Sequence, residues 1–301
     1  MGYQLWTSPI TGYRRRGTRL SEYRGLLGKA VTVNAIFEPL LSCPSNADAG
    51  AMRVELERRD FDVAGVMEDR EGPVIGSVAT IELTSRRVSD HIVDIPPDYI
   101  VDTSLSISDL LPMLMRLPHV FVRVGEQVGG IVTRTDLNKP PVRVYLFGLI
   151  SLLEMHLGFW VGSTYPAESW QQLLKDVRVE AARTEQRKQH IEGLEAGLLD
   201  CTQFCDKRDL LLKSSELRDK LGIGSKTRAE TVLVRVERLR NKLAHSQQNI
   251  SAGAAWNSLI EVVEWIERFL TTSDELVERA AAASAETGTV QLWPAQLDYR
   301  F

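Results

Sequence analysis

Apolar positions recur along this 301-residue chain at two different periods, and the change from one to the other divides it. In the first part, short apolar runs bounded by turn residues read as strands. Asp62 to Met67 and Val74 to Ala79 are two such runs, with Glu71-Gly72-Pro73 as the turn between them, and Asn46 to Arg59 ahead of them reads as a helix. The same order then returns. Ser106 to Leu117 predicts a helix, and His119 to Val124 and Gln127 to Thr133 predict strands joined at Gly125. A helix followed by two strands, repeated about 55 residues later, is an internal repeat.

Pro140-Pro141 marks a junction, and beyond it the period becomes helical. Val142 to Trp160 is apolar on nearly every side, with Arg143, Glu154 and His156 as exceptions, so this helix is expected to be buried and His156 to be a satisfied core histidine. Ser169 to Leu199 reads as a long charged helix broken at Gly193 or Gly197, and residues 200 to 221 continue the helical pattern. Gly222 stops it and Ser225 caps the next helix. There Val232, Val236, Leu239 and Leu243 fall at i, i+4, i+7 and i+11, the stripe of a core-facing helix. Asn249 or Ser251 opens a last helix with Trp256, Leu259, Ile260, Val263, Ile266, Phe269 and Leu270 on its apolar face, and the Ala-rich stretch 280 to 285 is expected to fray. The fold class this implies is α+β, a repeat pair followed by an all-α bundle. The segments are a basic arm (1–25), the repeat pair (26–140), the helical domain (141–285) and an aromatic tail (286–301) that docks on the body or a partner.

Composition changes this picture little: 44% of residues are hydrophobic and 25% charged, as in ordinary globular chains. No run is read as long enough to span a bilayer and the first residues lack the apolar core of a secretory signal, so a cytoplasmic location away from membranes is expected. Cys43, Cys201 and Cys205 make no disulfide framework, and no second Cys/His pair at zinc spacing accompanies the last two, so no metal site is expected. The net charge of −4 argues against a protein coated for nucleic acid, but its distribution is uneven. Between Cys201 and Gln248 eleven Lys and Arg stand against six Asp and Glu, the local excess an RNA backbone requires, although a solvated helix face carries such runs equally often. Arg14, Arg15, Arg16, Arg19 and Arg24, with Trp6, Tyr13 and Tyr23, form a second basic cluster that either grips nucleic acid or packs with its arginines in solvent.

The stripe-bearing helix ends in Arg240-Asn241-Lys242-Leu243-Ala244-His245. Cleaving RNA by its own 2′-hydroxyl needs a group that exchanges a proton near neutral pH and a fixed cation on the phosphate, which histidine and arginine supply. At about 100° per residue Asn241 and His245 share a face, whereas Arg240 and His245 point roughly 140° apart in a regular helix. Either the helix ends before His245, or two subunits bring two copies together. This R-N-x-x-x-H cluster resembles the signature of the HEPN superfamily, helical bundles of which many are metal-independent ribonucleases. The resemblance implies Arg240, Asn241 and His245 as catalytic residues, RNA as substrate, no catalytic cofactor, and a homodimer. The plain alternative is an amphipathic helix whose terminal cations complement its dipole.

The second repeat carries Gly130-Ile131-Val132-Thr133-Arg134-Thr135-Asp136, and with the repeat itself it resembles the CBS-domain pair, a module that commonly binds adenine nucleotides. Glycine allows close backbone approach, and a hydroxyl and a carboxylate three residues apart can hold a ribose diol. By that resemblance Gly130, Thr133 and Asp136 line a nucleotide site. The first repeat departs from it, with Ala79 at the hydroxyl position and Glu82 at the carboxylate.

Together these readings give a nucleotide-regulated, metal-independent endoribonuclease, with a bacterial stress or antiphage role by family analogy. The alternatives are a non-catalytic adenine-nucleotide sensor whose bundle dimerises, and the toxin half of a pair held silent by a separate antitoxin.

Overall fold

A computed structural model of the chain describes residues 6–7, 14–15, 18–68, 72–84, 86–245, 249–251 and 254–286. The side chains of Arg14 to Arg16 in the basic arm, and the aromatic tail with Trp293, Tyr299 and Phe301, lie outside the described residues. The fold is α+β and divides into two compact units, residues 25–145 and residues 1–24 with 146–301. A two-residue ribbon, β1 (Trp6–Thr7) with β2 (Arg14–Arg15), and helix α1 (Leu20–Ala30) open the chain.

The α/β unit is built from β3 (Glu38–Pro39), β4 (Ser42–Pro44), α2 (Ala49–Arg58), β5 (Val63–Met67), β6 (Val74–Ala79), β7 (Ile100–Asp102), α3 (Ile107–Arg116), β8 (His119–Val124) and β9 (Gln127–Thr133). Each repeat is a strand, a crossover helix and a hairpin. β4 pairs parallel with β5 and β7 parallel with β8, while β5–β6 and β8–β9 are antiparallel. Parallel pairing needs a connection of this length, and the helix supplies it. Both helices start on an acceptor cap: Asp48 accepts from the Ala51 N–H at 2.8 Å and Ser106 from the Asp109 N–H at 3.2 Å. Both hairpins carry an irregularity at the corresponding place, between Val66 and Met67 and between Val122 and Arg123. The repeats interlock through β3, which precedes the first repeat and pairs antiparallel with β9 of the second. Val120, Phe121 and Val122 are buried in succession, because both faces of β8 are covered.

The helical unit continues α4 (Pro140–Thr164), which begins in the α/β unit at the paired prolines. Proline suits the first turn of a helix, where its missing N–H has no partner to lose. The junction is therefore the start of a helix. α4 is long and apolar enough to cross a membrane by length and composition, which the sequence reading did not anticipate, and 56% of its most apolar window is buried inside the protein. Then follow α5 (Asp176–Ile191), α6 (Phe204–Lys213), α7 (Ser215–Lys220), α8 (Lys226–Ala244) and α9 (Ala254–Glu286).

Two helix expectations are corrected. The stretch from Ser169 to Leu199 breaks near Gly193, one of the two places read from the sequence, but its first residues are not in the helix. It starts inside a 3₁₀ segment, Pro166–Leu173, that buries Trp170 against Val161, Ala182 and Leu210, and α5 begins only at Asp176. α5 stops at Ile191, before Gly193 at φ +78°, a left-handed conformation glycine adopts freely. Residues 280–285 do not fray, because alanine is the strongest helix former and α9 runs through them to Glu286.

Candidate functional site

The Thr133–Asp136 turn follows β9 directly. Thr133 and Asp136 cap the 3₁₀ helix Arg134–Asn138: the Asp136 carboxylate accepts from the Thr133 N–H at 2.7 Å and from the Thr133 hydroxyl at 3.1 Å. The Thr133 hydroxyl in turn accepts from the Thr135 N–H at 3.2 Å. Lys139 binds the other Asp136 oxygen at 2.9 Å and also reaches Glu38 and the Ile36 carbonyl. Burial pushes the Lys139 ammonium down, and the Glu38 and Asp136 carboxylates outweigh it and raise its pKa. Asp136 is 6% exposed, and three of its roughly four lone-pair sites are taken, so a ribose hydroxyl would share the last or replace the Thr133 hydroxyl. Gly130 pairs with Pro39 of β3, and a Cβ there would fall 2.4 Å from the Phe37 ring. Its close approach therefore admits Phe37.

The first repeat is arranged differently. Thr80 is buried and its hydroxyl donates to the Phe61 carbonyl at 2.5 Å, while Glu82 is exposed. Ser77 of β6 pairs with Val93 in both directions at 2.9 Å, and a Cβ on Gly76 would meet Ile92 at 2.5 Å. The Ile92–Val93 segment thus covers the glycine that corresponds to Gly130.

In the helical unit, α8 is fixed by its own sequence. Gly222 and Gly224 take positive φ in the turn, and the Ser225 hydroxyl accepts from the Arg228 N–H at 3.4 Å. Val232, Val236, Leu239 and Leu243 are all buried. The helix ends at Ala244, and His245 leaves it at φ −103°, ψ 97°, with its N–H donating to the Asn241 carbonyl at 3.2 Å. Asn241, Ala244 and His245 are exposed. Because the helix stops one residue early, the direction of the imidazole is not bound to the 140° offset of a continuous helix.

Arg240 points to the other side of α8, where its Nε lies 3.7 Å from Glu154 of α4, with the arginine side chain 41% exposed. Glu154 also accepts from the Lys207 ammonium at 2.9 Å, and Lys207 donates to the Thr202 carbonyl at 3.0 Å. Lys207 is only 5% exposed. A buried ammonium needs such partners, since its desolvation costs several kcal/mol. A second chain of ions runs alongside: Arg178 holds Asp206 at 2.7 Å and Asp209 at 3.1 Å, and Arg208 joins Asp209 at 2.8 Å to Glu237 of α8 at 2.5 Å. Asp206 and Lys207 are thus both buried, and Lys207 connects through Glu154 to the arginine of the R-N-x-x-x-H cluster. From the sequence, the run Asp206-Lys207-Arg208-Asp209 reads as an exposed ion-pair cluster or as polar neighbours of the histidine, and Glu154 carries no assigned role. The usable signal was a carboxylate in a helix that is otherwise apolar.

His156, also on α4, is fully buried, with Nδ1 2.8 Å from the Ser273 hydroxyl and Nε2 3.3 Å from the Thr18 carbonyl. Burial pushes its pKa down to about 4, against the opposing charge of Asp274. It is the satisfied core histidine expected. Cys201 and Cys205 are partly exposed, with thiol pKa values raised first by burial, which does not favour a reactive thiolate. Among the described residues no three His, Cys, Asp or Glu side chains cluster as a metal site needs.

No protein-family model matches the chain, and no curated protein does. Solved structures with CBS domains are similar to 36–40% of it. The CBS domain of the bacterial CNNM/CorC family Mg2+ transporter in complex with ATP is 18% identical, with 40% of this chain and 92% of that one covered and a TM-score of 0.32. The CBS-pair protein CBSX2 from Arabidopsis thaliana is 18% identical over 38% of this chain and 94% of its own, also at a TM-score of 0.32. An uncharacterized conserved protein from Pyrococcus horikoshii is 13% identical, covering 36% and 90%, at the same score.

Proposed function

We propose that the helical unit cleaves RNA without a metal and that the α/β unit senses an adenine nucleotide. The observation that carries the first half is the end of α8 at Ala244, which leaves His245 exposed just beyond the helix and Asn241 exposed in its last turn, while Arg240 is anchored through Glu154 to a buried lysine. In this reading His245 takes the proton from a ribose 2′-hydroxyl as the oxygen attacks the adjacent phosphorus. The P–O5′ bond breaks, water returns a proton to the 5′-oxygen, and the products are a 2′,3′-cyclic phosphate and a 5′-hydroxyl. Arg240 stabilises the charge that grows on the phosphoryl oxygens, and Asn241 orients the phosphate or the histidine. A homodimer would place two such turns about one RNA-binding face. Support for the sensing half is the doubled strand–helix–hairpin unit together with the Gly130, Thr133 and Asp136 pattern at the end of β9.

The Arg240–Glu154 pair favours a second reading, in which the cluster is structural and the protein only senses a nucleotide and dimerises. Incubating the purified protein with total RNA in EDTA, with and without AMP, ADP and ATP, separates the two. The enzyme reading expects 2′,3′-cyclic phosphate ends that disappear in His245→Ala. RNA left intact under every nucleotide condition supports the sensor.

A further inference from the structure

A cleft of about 650 Å³ opens in the helical unit between the start of α1, the turn before α8 and the middle of α9. Small-molecule sites generally fall between about 300 and 1,000 Å³, so it is of a size for one nucleotide. Its walls are tied together by the chain itself. The Leu20 N–H donates to Asp274 at 3.0 Å and Arg24 meets Glu267 at 2.5 Å, which joins α1 to α9. In the turn, the Gly222 N–H donates to the Asp219 carbonyl and the Ile223 N–H to the Arg218 carbonyl, both at 3.1 Å. Trp265 and Phe269, stacked with ring centroids 5.4 Å apart, and buried Leu221 and Ile223 supply apolar lining.

The charged side chains of this lining divide into two groups. Arg24 and Glu267 neutralise each other. Arg228, from the first turn of α8, and Arg268, from α9, are exposed, and among the described residues neither side chain has an ion pair or hydrogen bond; the same holds for Glu264, one turn before Arg268. Two open guanidiniums brought from two helices suit a phosphate, which they bind through charge-assisted hydrogen bonds. The open carboxylate repels a phosphate and, being an acceptor only, calls for donors on the ligand. A ligand that satisfies all three is anionic at one end and carries adjacent N–H donors at the other. Among nucleotides, guanine presents N1–H and the N2 amine side by side, the bidentate complement of a carboxylate, whereas adenine and cytosine each set a ring-nitrogen acceptor beside the amine.

We infer that this cleft binds a guanine nucleotide, with its 5′-phosphates on Arg228 and Arg268 and the Watson–Crick edge of its base on Glu264. Arg228 and Ala244 stand near opposite ends of α8, about 24 Å apart at the rise of an α-helix, so the site is distinct from the His245 turn and does not rest on RNA cleavage.

Isothermal titration calorimetry on the full-length Asp136→Ala protein, which lacks the proposed turn site of the α/β unit, tests the assignment with GDP, ADP and inorganic phosphate. One equivalent of GDP is expected to bind, about tenfold or more tighter than ADP or phosphate. Arg228→Ala and Arg268→Ala should each weaken GDP by about tenfold, as is typical when a charge-assisted hydrogen bond is lost. Glu264→Gln should remove the preference for GDP over ADP. Being exposed and nearly unchanged in shape, it keeps the test decisive should an arginine variant fail to fold. GDP binding that is unchanged in the arginine variants, with their circular dichroism intact, overturns the assignment, as does a preference for GDP that survives Glu264→Gln. Phosphate that competes as strongly as GDP makes the cleft a bare anion site and overturns it too, and so does the absence of binding by all three.

Discussion

The two motif-bearing regions hold their polar groups by opposite means. In the Thr133 turn the key carboxylate finds nearly all its partners nearby in sequence, at positions 133 and 139, and the loop would close this way in almost any stable context. At the end of α8 the arginine depends on Glu154, 86 positions earlier, and Glu154 depends on Lys207, 53 positions from it. The first is a local device whose loss should be local. The second is a network that exists only once α4, α6 and α8 have packed, so altering one member exposes a buried charge. The difference teaches where to look for function: the local turn is already satisfied by its own residues, whereas the distributed network holds a half-exposed arginine five residues before an exposed histidine.

Four experiments sharpen or break that contrast, in order of expected effect. His245→Ala should lower RNA cleavage by about 10² to 10⁴, the usual worth of a proton-transfer group. Because the side chain is exposed, the midpoint of urea unfolding should stay within about 0.5 kcal/mol of the wild type. A variant that cleaves normally removes the histidine from the chemistry. Next, Lys207→Met should cost about 3 to 5 kcal/mol in urea unfolding, as expected when one partner of a buried ion pair is removed, and adding Glu154→Gln should restore much of it. If the single change costs less than about 1 kcal/mol, the network is not a unit and the contrast between the two regions fails.

The third experiment is a stability profile against pH. His156 is neutral when folded, with its pKa pushed down to about 4 by burial, and titrates near 6.5 when unfolded. The unfolded state therefore binds the extra proton first. The stability is complete above about pH 6.5 and falls as pH drops towards 4, by on the order of 3 kcal/mol. His156→Gln should flatten that window of the profile; a wild-type curve flat from pH 6.5 to 4 would falsify the burial of a neutral imidazole. The smallest effect is expected in the local turn. Asp136→Ala removes a cap and should cost about 1 kcal/mol, measured by thermal unfolding. It should also erase any stabilisation by AMP or ATP, and a nucleotide-induced shift that survives the change places the ligand elsewhere.

How far the chain could be read follows the same division. Strands β6, β8 and β9 match the apolar runs read from the sequence, and β5 starts one residue later, because a run of that length bounded by turn residues stands out in the sequence. β3, β4 and β7 went unseen, since two or three residues show no period and their pairing comes from distant partners. The cap at Ser225 and the stop at Gly222 were legible because each is a local backbone need met by one side chain or by its absence. The burial of Lys207 was not, because a lysine among charged neighbours looks solvated until another helix is laid over it.

The sequence by itself determined the doubled helix-and-hairpin unit, the apolar stripe of α8, the core role of His156 and the R-N-x-x-x-H string, all of which depend on spacings of a few residues. Only the tertiary structure decided that α8 ends at Ala244, directly before His245, and that Arg240 meets Glu154. Interactions within a turn are written in residue order. Partners brought together by the burial of apolar faces are chosen by the packing of whole helices, which no short window of sequence contains.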